Sequence, residues 1–242
     1  MLGSGGARGL AHVGVIRWLE EHGHKIRSIS GCSIGSFIGG AYATGTLDAI
    51  VDWMENLTKK EIYSMLDLSF SRDSLVKGDR LAEVIQSKIG TGLIEDLPIK
   101  FTAVAADIAT EKEHWFQTGP IDQAIRASVS LPLLFTPHTV DGVQLIDGGI
   151  LNPTPIEPTL GDDTDLTIAV DLGGPMMEET TQNPKRPKAR GSRKWTTSWT
   201  PCGLLKASQK TNGTCSTSQI NPSTRCRMRL RGAEWQTTRQ II

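Results

Sequence analysis

The sequence predicts an α/β fold with a mostly parallel central sheet and helices on both faces. Three observations carry this. Short apolar runs recur between helical patterns across residues 1–175. A serine with a glycine two residues away on either side joins one such run to the helix that follows. No run of about 18 apolar residues breaks the alternation, so no membrane-spanning helix is expected. Strands separated by helices imply parallel pairing with both faces covered.

The elements follow in order. Residues 9–23 form an amphipathic helical pattern with Leu10, Val13, Gly14 and Trp18 on one side. Residues 26–30 are a strand, and residues 34–44 a small-residue, nearly apolar helix suited to burial. Residues 47–57 and 80–89 are further helices. Residues 100–107 are a buried-strand run and residues 121–128 a short helix. Residues 143–146 and 166–171 are strands again. The stretch Leu131-Pro132-Leu133-Leu134-Phe135 reads as ordinary core in preference to an apolar lip for membrane contact.

The 242 residues suffice for one large α/β domain with a substantial core. The formal net charge of zero conceals a reversal. Residues 1–177 carry 13 Lys and Arg against 23 Asp and Glu, a balance of −10, whereas residues 178–242 carry 13 against 3, a balance of +10. The chain therefore divides into a domain over 1–175 and a basic, non-periodic tail over 176–242. That tail holds Trp195, Trp199 and Trp235 and three of the four cysteines. Disordered segments are poor in Trp and Cys. Out-of-frame translation from near Pro175 is accordingly preferred to a disordered arm that binds an acidic partner. At the other end only Met1 and Leu2 precede a glycine loop that normally hangs from a strand, so the first strand reads as clipped.

The start shows no basic region followed by an apolar one, and a cytoplasmic location is expected. Cys32, Cys202, Cys215 and Cys226 fit no zinc spacing and no histidine follows His138, so reduced thiols and no metal are expected. No acidic loop has calcium-ligand spacing.

Four features carry chemistry. Gly31-Cys32-Ser33-Ile34-Gly35, between strand and helix, has the layout of a nucleophile elbow. Its glycines allow a sharp turn, and the new helix aims N–H groups and its dipole at the Ser33 hydroxyl. Gly3-Ser4-Gly5-Gly6-Ala7-Arg8-Gly9 opens the first helix and suits either phosphate binding or an oxyanion hole. The dinucleotide template fails, because from Gly3 its last glycine falls on Arg8. Arg8 suits either neutralising an anion or a salt bridge. Asp147-Gly148-Gly149 follows a strand; such a step is most often a turn, but a serine nucleophile needs a base. No histidine follows Asp147. A triad would have to use His114 or His138 with an earlier acid such as Asp107, whereas a Ser33–Asp147 dyad needs none. His12 suits packing, and His22 and His24 a solvated helix end.

Taken together and in this order, these elements resemble the patatin-like phospholipase family, most closely its bacterial members related to neuropathy target esterase. The resemblance covers about residues 1–175. It rests on the glycine loop with Ala11-His12-Val13-Gly14-Val15-Ile16, the segment 31–43, the segment 115–137 with Ala124-Ile125-Arg126-Ala127-Ser128, and the segment ending Asn152-Pro153-Thr154-Pro155. It implies a three-layer α/β sandwich and a serine acyl hydrolase of (lyso)phospholipids or related esters, without a cofactor. By position it implies Ser33 as nucleophile, Asp147 as base, and Gly5 and Gly6 as oxyanion-hole donors with Arg8 beside them. Gly31, Gly35, Gly148 and Gly149 support these motifs. Ser4 stands where the family pattern has a glycine. The partner implied is a lipid or ester substrate with peripheral membrane contact, not nucleic acid. The competing reading is a non-catalytic lipid-binding regulator or an inactive fragment.

Overall fold

The computed structural model describes residues 1–58, 61, 79–174 and the strand 204–208. After a 3-10 turn at Gly6–Gly9 come α1 (Leu10–Glu21), β1 (Ser28–Cys32), α2 (Ile34–Ala43), α3 (Leu47–Asn56) and α4 (Asp79–Lys88). Then follow β2 (Lys100–Asp107), β3 (Lys112–Phe116), α5 (Ile121–Ser128), β4 (His138–Val140), β5 (Val143–Asp147), β6 (Thr167–Asp171) and β7 (Leu204–Ser208). Apart from β7, the expectations for the tail lie outside the described residues. On α1 the buried positions are His12, Val13, Val15 and Ile16, while Gly14, expected on the inner side, is exposed.

The sheet is mixed, not mostly parallel. Strand β1 pairs with β2 in parallel, but β2–β3, β2–β5 and β4–β5 are antiparallel. Short connections impose this, because adjacent antiparallel strands need only a tight turn. Asp141 and Gly142, with φ of 49° and 81°, make the two-residue turn between β4 and β5. After β2, the Asp107 carboxylate accepts from the Ala109 amide at 2.8 Å and the Thr110 hydroxyl at 2.7 Å, closing the turn into β3.

Residues 1–3 form a stub of strand laddered on both sides. Leu2 is bridged in parallel to Gly31 of β1 and to Val170 of β6. The Met1 amine donates to the Ile168 carbonyl at 2.7 Å, and burial lowers its pKa to about 6.

Helices α2 and α5 lie side by side on one face of the sheet. There Gly39 and Gly40 admit Ile29, Phe101 and Ile125 to close contact. Ile38, Phe101, Ile125 and Leu145 are among the largest fully buried side chains of this core. The other face of β1 is covered by the segment 152–160, not by a described α-helix: the Ser30 hydroxyl donates to the Pro155 carbonyl at 2.7 Å. No described helix is long and apolar enough to cross a membrane.

Ile125 joins helix to sheet with no exposure. Ile125→Ala should therefore cost about 2–5 kcal/mol, read as a lowered midpoint in denaturant unfolding. A midpoint equal to the parent's would contradict this placement of the core.

Candidate functional site

One edge of β2 is shared by two strands, and this makes the site. Along that edge β1 pairs as far as Cys32 with Val104, and β5 takes over with Asp147 opposite Ala105. Both strands run toward this point and both chains leave the ladder there, β1 after Cys32 and β5 after Asp147. Ser33 is the first residue to leave.

Ser33 turns at φ 54° and ψ −129°, a combination that L residues rarely adopt and that costs about 1–3 kcal/mol unless its surroundings hold it. They do hold it. The Ser33 amide donates to the Ser128 carbonyl at 3.2 Å and to the Ser128 hydroxyl oxygen at 3.1 Å. The Ser33 carbonyl accepts from the Ser36 amide at 3.0 Å, the Phe37 amide at 3.2 Å and the Ser36 hydroxyl at 2.7 Å. Close packing then requires the two elbow glycines. A Cβ on Gly31 would meet the Gly35 backbone at 2.5 Å, and one on Gly35 would run into the Leu2 carbonyl.

The Asp147 carboxyl is 2% exposed. Its amide donates to the Ser130 carbonyl at 2.9 Å, and Oδ1 accepts from the Gly149 amide at 2.8 Å. Burial pushes its pKa up from the ordinary carboxylate value, while hydrogen bonds from the Ser33 side chain and the Gly149 amide pull in the opposite direction. The result is a carboxylate of enhanced basicity beside a serine hydroxyl. Gly148 presses against the Val104 carbonyl, where a Cβ has no room, and a Cβ on Gly149 would meet Ser4 at 2.7 Å. Ser4 is thus the contact between the glycine loop and the Asp147 turn.

The glycine loop arches over the start of α2, with Gly9 packed on Ile34. The Gly3 amide donates to Val170 at 2.9 Å and the Ser4 amide to Pro153 at 2.7 Å, which anchors the loop on both sides. Among the described residues the amides of Gly5 and Gly6 find no acceptor, and they suit an anion. Gly6 takes φ 54° in open space. Arg8 is exposed on the 3-10 turn and enters no ion pair among the described residues.

The histidines are engaged elsewhere. His12 is buried with Nε2 on the Gly3 carbonyl at 2.8 Å, and burial lowers its pKa to about 4. His22 stacks on Trp18 at the exposed end of α1. His138 Nε2 contacts Gln123 Oε1 at 2.8 Å. His114 lies opposite Ala105 on the far edge of β2, one strand removed from Asp147. Asp107 is committed to its turn, as above. The Cys32 thiol, next to Ser33, is pushed up to about 12 by burial and by the Asp147 charge. Among the described residues no cluster of His, Cys, Asp or Glu could hold a metal.

Sequence reasoning missed two contributors, Ser128 and Ser130, which hold the amides of Ser33 and Asp147. It also placed Leu131-Pro132-Leu133-Leu134-Phe135 in the core. Leu131 is instead exposed, and Leu133 is fully exposed at φ 73°. Pro132, Leu134 and Phe135 are half-buried, and the Arg126 guanidinium lies over the Phe135 ring at 5.6 Å.

The family model of patatin-like phospholipases matches residues 1–160. An uncharacterized NTE family protein of Mycobacterium tuberculosis is 47% identical over 173 residues, which are 72% of this chain and 48% of that protein. Lysophospholipase nte1 of Aspergillus fumigatus is 37% identical over 180 residues, 72% of this chain and 12% of that one. A patatin-like phospholipase domain-containing protein of Caenorhabditis elegans is 37% identical over 192 residues, 74% of this chain and 14% of that one. The chain thus spans about half the length of its mycobacterial relative and a smaller part of the others.

The raised pKa of Asp147 fixes the sign of its effect on stability. Folding tightens its proton, so its contribution is most favourable below the ordinary value of 3.8 and declines as pH rises through the raised value. Asp147→Asn removes that decline. The variant should melt at a higher temperature than the parent at pH 7, and the difference should vanish below pH 3.8. A lower melting temperature for the variant at pH 7 would contradict the burial argument.

Proposed function

The chain belongs to the patatin-like phospholipase family, and on that premise we propose that it is a serine acyl hydrolase of lipid carboxylic esters, (lyso)phospholipids among them, acting in the cytoplasm. The observation that carries the reading is the meeting of Ser33 and Asp147 on one edge of β2, beside a glycine loop whose Gly5 and Gly6 amides have no acceptor among the described residues.

The chemistry runs in two halves. Asp147 accepts the Ser33 proton as Oγ attacks the ester carbonyl carbon, and the carbonyl π pair moves onto oxygen. The Gly5 and Gly6 amides receive that oxyanion; one such donor is worth about 10²–10³ in rate. The carbonyl re-forms, the C–O bond to the alcohol breaks, and Asp147 returns the proton to the departing oxygen. Water, deprotonated by Asp147, then adds to the acyl carbonyl; the C–O bond to Ser33 Oγ breaks, Asp147 returns the proton to Oγ, and the fatty acid is freed. Burial suits Asp147 to this, since a base works best when its pKa approaches the working pH. Arg8, exposed at the mouth of the loop, suits a lipid phosphate.

Peripheral membrane contact fits the same reading. Leu131 and Leu133 follow Ser130, whose carbonyl holds Asp147, and Ile150 and Leu151 follow the Asp147 turn; all four are exposed. They form an apolar rim within a few residues of the carboxylate.

Ser33→Ala and Asp147→Asn should each lower p-nitrophenyl ester turnover by at least about 10³-fold, and a fluorophosphonate probe should label the parent at Ser33 only. Unchanged turnover in either variant, or a parent that neither turns over ester nor labels, would refute the dyad. Leu133→Asp should reduce sedimentation with phosphatidylcholine vesicles while leaving turnover of a soluble ester intact. Equal sedimentation of parent and variant would remove the rim from the account.

A further inference from the structure

We propose that Ser128 is a positioning residue for the nucleophile: its buried hydroxyl holds the Ser33 backbone in its turn and ties that turn to the carbonyl on which the Asp147 loop rests. The inference deepens the hydrolase reading and depends on it.

The proton count of the hydroxyl gives the direction of the linkage. Ser128 Oγ donates its one proton to the Val104 carbonyl at 2.6 Å. It can therefore only accept from the Ser33 amide, 3.1 Å away. Gly148 is packed against the same Val104 carbonyl. One hydroxyl thus couples the residue that turns out of the ladder after β1 to the strand position beside which β5 ends at Asp147. Two residues on, the Ser130 carbonyl accepts the Asp147 amide at 2.9 Å. The end of α5 clasps both members of the pair by their backbones.

The two serines behave differently, and the contrast argues against simple helix termination. A serine late in a helix ordinarily bonds back along its own chain. Ser130 does so: its hydroxyl donates to the Arg126 carbonyl at 2.8 Å and accepts from the Arg126 guanidinium at 2.6 Å. Ser128 instead spans to two other elements from a position with no exposure. Its removal leaves Ser33 amide with one acceptor, the Ser128 carbonyl, to hold a strained turn. Ser128 touches neither the hydroxyl of Ser33 nor the carboxyl of Asp147, so it acts on geometry and not on proton affinity.

The test compares the full chain with Ser128→Ala, Ser128→Thr and Ser128→Cys, using p-nitrophenyl butyrate and fluorophosphonate titration to count competent sites. In Ser128→Ala, kcat per titrated site should fall by about ten- to a hundredfold, the scale of a misplaced reacting atom, with KM little changed. Ser128→Thr, which keeps the hydroxyl, should recover most of the loss. The acid limb of the pH–rate profile should stay in place, and amide exchange of the segment 29–37 should quicken. A folded Ser128→Ala with parental kcat per site would overturn the proposal. So would a loss accounted for wholly by fewer folded molecules. Should Ser128→Ala fail to fold, Ser128→Cys preserves the volume but weakens the acceptor, and parental kcat there would be equally decisive. A parent that does not label at Ser33 sinks the hydrolase reading and this role with it. A labelled parent with an indifferent Ser128→Ala sinks this role alone.

Discussion

The structure depends on a succession of partners along one strand edge. Strand β2 offers its edge to β1 up to Val104 and to β5 from Ala105. A parallel strand arriving from one end and an antiparallel strand arriving from the other cannot occupy the same row, so both must turn out where they meet, β1 after Cys32 and β5 after Asp147. Ser33 and Asp147 stand on either side of that junction. Their approach follows from sheet topology and owes nothing to their separation along the chain. The crowding it creates explains which glycines are obligatory. Gly31, Gly35 and Gly148 have backbone atoms where a Cβ would stand, whereas Gly14, Gly23, Gly45 and Gly90 have nothing within 4 Å. In a chain with 25 glycines, steric need marks the glycines on which this junction closes, while Gly6 of the loop stands in open space and is favoured there by its φ of 54° alone.

The junction is costly to build. A non-glycine residue is held at positive φ, and a carboxyl is withdrawn from water beside it. Both features destabilise, and both are the kind of strain that functional sites concentrate. They are offset by the apolar seam between α2, α5 and β2, where Ile38, Phe101 and Ile125 are sealed from solvent. The rigidity is directional: the same α5 that contributes Ile125 to the core ends at Ser128, on the Ser33 amide. The element that stabilises the domain is also the one that fixes its most strained turn.

Much of this was legible in the residues, for reasons that can be named. Strand β2 and helix α5 lie where the apolar run 100–107 and the pattern 121–128 put them, because burial on a regular element leaves a periodic trace. Strand β3, Lys-Glu-His-Trp-Phe, leaves none, being partly exposed and polar at three of five positions. Strand β4 is only three residues long. Its hairpin did carry a signal: Asp141-Gly142 between two valines is a two-residue turn pattern. That signal points to an antiparallel pair at this edge, which the β2–β3 and β2–β5 pairings then extend. The Ser33 and Asp147 motifs were visible because glycines mark them. Ser128 stood inside one of the quoted motifs, but its role was not legible, since a hydroxyl that bonds a distant backbone amide needs no particular neighbours in sequence. The charge reversal near residue 177 was plain, but beyond residue 174 only β7 is described.

The same geometry favours Ser33 over Cys32 as the nucleophile in the proposed reaction. Cys32 is adjacent to Ser33, and a thiol is intrinsically the better nucleophile once ionised. Yet successive residues of a strand point to opposite faces, and Cys32 is the last residue of β1 still in register. Its Sγ lies against the carbonyls of Asn152 and Pro153, at 3.4 and 3.5 Å, under the segment that covers that face. Burial and the nearby Asp147 charge keep it protonated. Ser33, one residue beyond the ladder, escapes the cover and meets the carboxylate. In the proposed reaction, the charge that draws a proton from the serine is the charge that withholds ionisation from the cysteine. On that reading a single buried aspartate selects between two adjacent side chains, and it does so because the strand ends between them.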